Sequence, residues 1–497
     1  MKLNAKKTIY VGLAFLIISM FWQVYDNVIA KMLIESYGFD QFWSGVILAL
    51  DNILALFLLP LFGALSDKTK TKFGKRTPYI FLGVIISAVL FIGIAFIHSF
   101  QQEKVNAENF PEIGAITEFG EVVAYEYEGE RFIDKMENGK LVLAIDQATE
   151  ARRLDIWSVS QANIGFLVSF VIVLFFVLLV MSTYRTPAVS LMPDVTPKPL
   201  RSKANAIINL MGSAGGVISL IFLMVVGKVK GSGNFATNYI IEFIVLGTLM
   251  ILFLVFFIIK VKEPKLIAEN QALINQYNVE EVETIQEDSS TEMEPAVRRS
   301  FFLILFSIVF WFMAYNAATS KFSVYATGVL EMGYETPLLI AQGAAIASYI
   351  PIGILASKIG RKKTILMGII VLFVAFTLGT IATKNTTFLI YITMALAGMG
   401  WALINVNSYP MVVEMSKGAN IGKYTGYYYT ASMAAQIITP MLSGAIMTYL
   451  FNNSMRPLFP YCMFFAALAF VTMMMVKHGD SKPIPTKKVE AFASLDD

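Results

Sequence analysis

Gly63-Ala-Leu-Ser-Asp-Lys68, followed by Phe73-Gly74-Lys75-Arg76-Thr77-Pro78-Tyr79, is the stretch on which the fold turns, because a shortened form of it returns as Gly353-Ile-Leu-Ala-Ser-Lys358 with Gly360-Arg-Lys362. Each copy is a basic connection leaving a long apolar run, and each follows the second such run of its half of the chain. A repeat of this kind predicts two parallel six-helix halves with a site near the bilayer midplane, the arrangement a rocking transporter requires.

Working outward from the two copies, apolar stretches of about 20 residues, enough to cross hydrocarbon as a helix, fall near 8–30, 41–65, 77–97, 161–192, 204–227 and 238–260, then 300–325, 337–357, 364–383, 388–413, 421–449 and 457–477. Composition agrees, since 56% of the 497 residues are hydrophobic and 15% charged, against about 45–50% and about 25% in soluble domains. The expected fold is an all-α polytopic membrane protein with twelve transmembrane helices in two halves, 1–260 and 300–477. The stretch 161–192 is too long for a simple span and implies a helix that begins outside the bilayer or tilts strongly.

Lys2, Lys6 and Lys7 precede the first span, which reaches Lys31 without a small-residue cleavage site, so the first helix is expected to be retained. With the N-terminus inside, the inner loops collect Lys68, Lys70, Lys72, Lys75 and Arg76, then Lys198, Arg201 and Lys203, then Lys358, Arg361, Lys362 and Lys363. That asymmetry places both termini in the cytoplasm of a multi-pass cell-membrane protein. Residues 99–157 then form an extracytoplasmic insertion between spans three and four. Alternation in Glu121-Val-Val-Ala-Tyr-Glu-Tyr-Glu and in Lys140-Leu-Val-Leu-Ala-Ile-Asp146, around a turn at Glu137-Asn138-Gly139, reads as a small hairpin. Its acidic excess fits a solvated face or, alternatively, a lid or partner contact. Residues 261–299, rich in Glu, Gln and Asn, read as a cytoplasmic linker with some helix, and 478–497 as a cytoplasmic tail.

One cysteine, Cys462, and two histidines, His98 and His478, both outside the apolar runs, leave no disulfide, no thiolate metal cage and no Ser/His/Asp triad. No metal, no cofactor and no enzymatic reaction are expected, and a formal charge of +3 gives no reason to expect nucleic acid.

At the repeated loop the chain resembles the major facilitator superfamily, whose second-to-third-helix connection carries Gly-x-x-x-Asp-(Arg/Lys)-x-Gly-(Arg/Lys)-(Arg/Lys). The first copy is longer, with six residues between Lys68 and Lys75. In this it is similar to the glycoside-pentoside-hexuronide cation symporters and the sucrose:proton symporters, which carry a like Ser-Asp … Phe-Gly-Arg-Arg-Arg-Pro-(Phe/Tyr) string. Pro193-Asp194 … Arg201-Ser-Lys-Ala-Asn205 and Tyr409-Pro410 extend the likeness. The resemblance implies a major facilitator fold, a sugar substrate and proton or sodium coupling. It also implies a cytoplasmic gate of Asp67, Lys75, Arg76 and Arg361. Physically, Asp67 can accept from a helix N-terminus or a nearby Arg in one access state and release it in the other. Ser357 stands where the second copy would need its acid, so that latch is expected to be weaker.

Charge inside a bilayer is costly unless it faces a cavity or a partner, so each intramembrane polar residue is a candidate. Gln23, Asp26 and Asn27 share a face of span one at i, i+3 and i+4; Asp51 and Asn52 lie near the middle of span two; Arg185 lies in span four above Asp194. Asp51 is the first candidate for the coupling proton or cation, because low dielectric penalises a carboxylate's charged form and makes it a proton acceptor. Asp26 is the second. Arg185 offers bidentate donors to adjacent sugar hydroxyls, or alternatively serves as the static partner of Asp51. Melibiose-type sodium symporters carry Asp-x-x-x-Asp-Pro in span two; here Ala55 and Leu59 stand before Pro60, which favours a proton over sodium.

Further substrate-binding candidates are Tyr315 and Asn316 in span seven, Gln342 in span eight, Asn405 and Asn407 in span ten, and Tyr429 and Gln436, with Thr425 and Ser432, in span eleven. Each alone also fits a helix-packing role. Trp43, Trp311 and Trp401 are candidates for stacking on a sugar ring or for interfacial anchoring. The function expected is sugar:proton symport, for a disaccharide or glucoside, by alternating access, in a monomer surrounded by lipid. A lipid or hydrophobic-solute transporter of the same fold, and a sodium-coupled sugar symporter, are the alternatives.

Overall fold

The structure is a computed structural model and describes residues 3–118, 121–137, 140–197, 200–230, 238–276, 295–414 and 421–478. Eleven helices among them are long and apolar enough to cross a membrane: the run Ala5–Ser36, and those over Gln41–Lys68, Thr77–Ala107, Ile164–Asp194, Ile207–Gly227, Ile240–Lys260, Pro295–Ser320, Arg361–Ile381, Phe388–Val412, Gly426–Leu450 and Leu458–Met475. A further helix of 25 residues, Glu335–Ile359, stands where the eighth span is expected. The chain is an all-α polytopic membrane protein.

Two compact units divide it. The first comprises Met1–Glu281 together with Ser320–Gly328 and Pro440–Met455; the second comprises Val282–Thr319, Val329–Thr439 and Arg456–Asp497. In the first unit α1 (Ala5–Val24) packs on α6 (Arg201–Lys230) and α7 (Ile240–Lys260), while α5 (Ile164–Asp194) packs on α2 (Gln41–Lys68) and α3 (Thr77–Ala107). Small residues permit the close approaches: a side chain at Gly215 would meet the Leu16 backbone, and one at Gly83 would meet the Tyr184 ring. In the second unit α13 (Phe388–Glu414) packs on both α11 (Glu335–Ile359) and α12 (Arg361–Ile381), which in turn packs on α15 (Leu458–Met475).

The first span does not end as a plain α-helix. Tyr25–Ile29 and Met32–Ser36 are π-helical turns, each admitting an extra residue, and they carry the helix past the expected residue 30 to Ser36. Gly38, at φ +71°, reverses the chain in a conformation that favours glycine. Asp40 then caps α2 by accepting from Trp43 N at 2.7 Å. Helix α3 continues to Ala107, ten residues beyond its expected end, so His98 lies buried within it against Tyr37 and Tyr239 rather than outside the apolar run.

The insertion differs from the single hairpin expected. β2 (Glu121–Tyr127) pairs antiparallel with β1 (Gly114–Glu118) and with β3 (Glu130–Phe132); β4 (Lys135–Glu137) pairs with β5 (Lys140–Val142), and residues 138–139 of the expected turn lie outside the described residues. The physical reason is local. Glu128 and Gly129, at φ +51° and +81°, turn β2 straight into β3, and Asp134 Oδ1 accepts from Ala144 N at 2.7 Å, capping α4 (Ala144–Ala162) where strand was expected to continue. In the linker, α8 (Glu263–Gln276) is a defined helix, whereas 277–294 and the tail from 479 lie outside the described residues.

Candidate functional site

Asp26, Asp51 and Arg185, three charges on three spans of the first unit, act on one another electrostatically. The π-helical turn at Tyr25 leaves Asp26 exposed between buried Tyr25 and Asn27. Tyr25 Oη donates to the Leu48 carbonyl at 3.3 Å, which fixes span one against α2 one turn before Asp51. Asp51 is 9% exposed, and its Oδ1 accepts from Asn52 Nδ2 at 2.7 Å. Arg185 is half-buried on α5, with its guanidinium carbon 5.2 Å from the centre of the Trp22 ring. It feels the field of Asp51 and then of Asp26, and the two carboxylates repel each other. Among the described residues neither carboxylate comes within ion-pair distance of it. Two residues on, Pro187 lacks the amide that would bond the Thr183 carbonyl, so the helix is locally weakened beside the arginine.

Gln23 and Asn27 stand one turn apart as expected, but Asn27 Nδ2 donates to the Gln23 carbonyl at 2.9 Å and its side chain is buried. Its Oδ1 is buried and has no hydrogen-bond partner among the described residues.

In the second unit Tyr315 and Trp401 stack with ring centres 4.2 Å apart and planes 10° from parallel, and Phe312 meets the same indole edge-on at 5.1 Å. Asn405 is exposed on α13 and bonds the Tyr349 hydroxyl. Asn316 and Gln342 are half-buried on α9 (Pro295–Ser320) and α11. Asn407 is turned away: it is buried and donates to the Leu403 carbonyl of its own helix at 2.9 Å. On α14 (Ile421–Ala445), Gln436 Nε2 donates to the Ser432 carbonyl at 3.3 Å, while Tyr429 is exposed. The side chain of Thr425 lies outside the described ones. Of the tryptophans, Trp311 is fully buried and Trp43 is exposed, which leaves Trp401 as the one in an aromatic stack with a candidate residue.

At the loop that opened the sequence reading, Arg76 is 3% exposed and gathers four acceptors. Its Nε donates to Asp194 Oδ2 at 2.9 Å, its Nη2 pairs with Asp67, and its Nη1 bonds Ser66 Oγ and the Gly63 carbonyl. Lys75 Nζ lies 3.2 Å from Asp194 and 4.0 Å from Asp67. Asp67 does not cap a helix; that task falls to Glu263 on α8. The Glu263 carboxylate is fully buried and accepts from Lys75 N, Arg76 N, Thr77 N and Thr77 Oγ1 at 2.7–3.1 Å. In the second copy Arg361 is half-buried at the start of α12, and the side chains of Ser357 and Lys358 lie outside the described ones.

Sequence comparison then fixes the family. The family described as Major Facilitator Superfamily matches residues 156–351 and 338–494, and that described as MFS/sugar transport protein matches residues 10–108. The chain belongs to the major facilitator superfamily. No curated protein sequence matches this facilitator. Solved structures do: a variant of the nucleoside transporter NupG (14% identity, TM-score 0.60, 95% of this chain and 100% of that one), a D-xylose-proton symporter (14%, 0.54, 97% and 98%), and a bacterial homologue of the iron transporter ferroportin (12%, 0.62, 96% and 100%). At such identities the likeness is one of fold, and it selects no substrate. The facilitator is a multi-pass membrane transporter.

Four residues of this facilitator's candidate machinery escaped the sequence reading. Trp22 and Tyr25 are ordinary apolar residues until the fold sets them beside Arg185 and α2. Glu263 stands next to Pro264, and a proline in a first turn is a helix-start signal that was legible in the linker. Asn270 is the fourth: its Nδ2 donates to the Asp194 carbonyl at 3.0 Å, from a position that read as solvated.

Proposed function

We infer that this facilitator is a sugar:proton symporter working by alternating access, with a disaccharide or glucoside as substrate and both termini in the cytoplasm of the cell membrane. The observation that carries the reading is the unpaired geometry of Asp51 and Arg185. A carboxylate held by its neighbour's amide and nearby backbone N–H groups, and a guanidinium set over one indole face, can both change partners without breaking a salt bridge between them. In the proposed cycle Asp51 takes the coupling proton, Arg185 loses a nearby negative charge, and its donors turn to substrate hydroxyls, so proton and sugar affinities rise together. Asp26 is the second carboxylate of the same field. Asn52, Gln23, Asn316, Gln342, Asn405 and Gln436 supply neutral donors and acceptors, which suit a polyol better than charge does. The Tyr315–Trp401 stack presents an aromatic edge to an apolar sugar face. The finer likeness to the glycoside-pentoside-hexuronide and sucrose symporters supports the substrate class. The Asp67–Arg76–Asp194 cluster, buttressed by Lys75, is read as the cytoplasmic gate, with Arg361 its counterpart in the second half.

The test is uptake of labelled sugars, with nucleosides in the same panel, into proteoliposomes under an imposed pH gradient or a sodium gradient. Sugar-driven alkalinisation of the medium that disappears in Asp51→Asn is the expected result. Accumulation driven by sodium alone, or of nucleosides and no sugar, overturns the reading.

A further inference from the structure

Helix α4 of the insertion touches the chain at two places that belong to different spans, and each contact is made by a charged or aromatic side chain. Arg153 is the centre. Its Nε and Nη2 form a fork with Glu150 at 2.8 and 2.6 Å, and its Nη1 donates to the Gly38 carbonyl, in the turn between spans one and two, at 2.6 Å. Trp157 packs on Phe39 in that same turn, ring centres 5.4 Å apart. Gly38 admits no side chain there, because one would strike the Trp157 backbone.

From the fork the bonds run on to the end of span eleven. Glu150 Oε2 accepts from Asn453 Nδ2 at 3.0 Å. Asn453 Oδ1 in turn accepts from Gln41 N at 3.2 Å and Thr448 Oγ1 at 2.8 Å, and Thr448 Oγ1 accepts from Phe42 N at 3.1 Å. Two orphan amides at the start of α2 are thus satisfied by side chains from the segment Pro440–Met455. The end of span seven bonds the first turn on its own account: Glu35 Oε1 accepts from Thr327 Oγ1 at 3.3 Å in α10 (Phe322–Gly328). Lys321, 2% exposed, donates to both the carbonyl and the side-chain oxygen of Gln41 at 3.2 Å. Ser320–Gly328 and Pro440–Met455 are the two stretches from the later half of the chain that belong to the first compact unit.

We propose that α4 is a strap: through Glu150 and Arg153 it holds the end of span eleven against the turn that leads into α2, and these bonds break when that side of the transporter opens. The insertion then sets how readily the insertion side is reached, apart from any role in binding the solute. Two polar bonds, rather than an apolar seam, suit a contact that must form and release in every cycle, since the net gain of such a bond over water is small.

The first measurement needs no substrate, so its outcome is independent of the symport reading. Trp43 and Tyr449 are exposed and lie at the two sides of this contact, Phe42 meeting the Tyr449 ring at 5.6 Å. Spin labels at Trp43→Cys and Tyr449→Cys, in the full chain with Cys462→Ala, are expected to show dipolar broadening. In Glu150→Ala and Arg153→Ala the separated fraction should rise at least two-fold, and Arg153→Lys, which keeps charge but loses the fork, should fall between. As a second measurement, a short reducible cross-link joining Glu150→Cys to Asn453→Cys should stop uptake, and reductant should restore it. Unchanged broadening in the alanine variants overturns the proposal. So does full-rate uptake by the cross-linked protein.

Discussion

Arg185 lies over Trp22, its guanidinium carbon 5.2 Å from the indole centre, while the carboxylates of Asp51 and Asp26 act on it through space rather than by contact. An arginine in this position is held by a weak, non-directional attraction, worth about 0.5–2 kcal/mol in such settings. Among the described residues no acceptor takes a hydrogen bond from it, and it can be drawn away by a ligand that offers acceptors. Removing the indole face should therefore loosen the arginine without unpairing it. Trp22→Ala is expected to raise the KM for the transported solute by about 2- to 30-fold, with Trp22→Phe closer to the parent, as read from initial uptake rates.

Glu263 is the largest single polar commitment on the side of the chain that carries the repeated loop. A buried carboxylate that accepts three backbone amides and a hydroxyl does for α3 what an N-cap does, from another helix. Charge-assisted bonds of this kind contribute about 1.5–3 kcal/mol each, and the stranded amides would be buried. Glu263→Ala should lower the detergent melting temperature by several degrees. Glu263→Gln should lower it less, because one oxygen still accepts while the new NH2 faces donors.

How much of this was legible follows from what each residue's chemistry announces. Asp51, Arg185, Asp26, Arg76 and Asp194 were readable because a charge within or beside an apolar run has few reasons to be there. The repeat of Gly63–Lys68 around Gly353–Lys358 made the two-half architecture readable in the same way. Trp22 was not, since an indole among apolar residues carries no mark of the cation it faces. The π-helical turns at Tyr25 and Met32 were not either, because an extra residue per turn leaves no compositional trace, and they are what separate exposed Asp26 from buried Asn27. From its type Asn407 fits either a substrate contact or a helix-packing role; it is buried and its side chain donates to the Leu403 carbonyl of its own helix.

Arg76 joins Asp67 and Asp194, two carboxylates from different spans, through two different nitrogens of one planar fork. Arg76→Lys should keep the charge and lose one partner. Because residues in one network do not act additively, Arg76→Lys combined with Asp194→Asn should slow uptake little more than the worse single variant. A double-mutant cycle on the uptake rate checks this, with a coupling of about 0.5–3 kcal/mol expected. Independent, multiplying effects would mean that the two residues do not share a gate.

The last prediction separates coupling from transport. Asp51 is bonded to Asn52 at 2.7 Å and, among the described residues, to no cation, so a proton can arrive or leave without breaking a salt bridge. The same contact tolerates an amide in place of the carboxylate, since Asn52 can still donate to its oxygen. Asp51→Asn should therefore fold, bind the solute and rock between its access states. What it should lack is the dependence of that cycle on the proton. Counterflow exchange of labelled for unlabelled solute, which needs no gradient, should persist at half or more of the parent rate, while accumulation against a concentration gradient falls to the equilibrium level. Asp26→Asn, which removes the second carboxylate and its repulsion of the first, should reduce accumulation but not abolish it. Both rates are read in the same proteoliposomes by changing only the trapped solute and the imposed pH difference. Accumulation that survives in Asp51→Asn would move the coupling site to Asp26. Loss of counterflow together with accumulation would make Asp51 a residue of the substrate site instead.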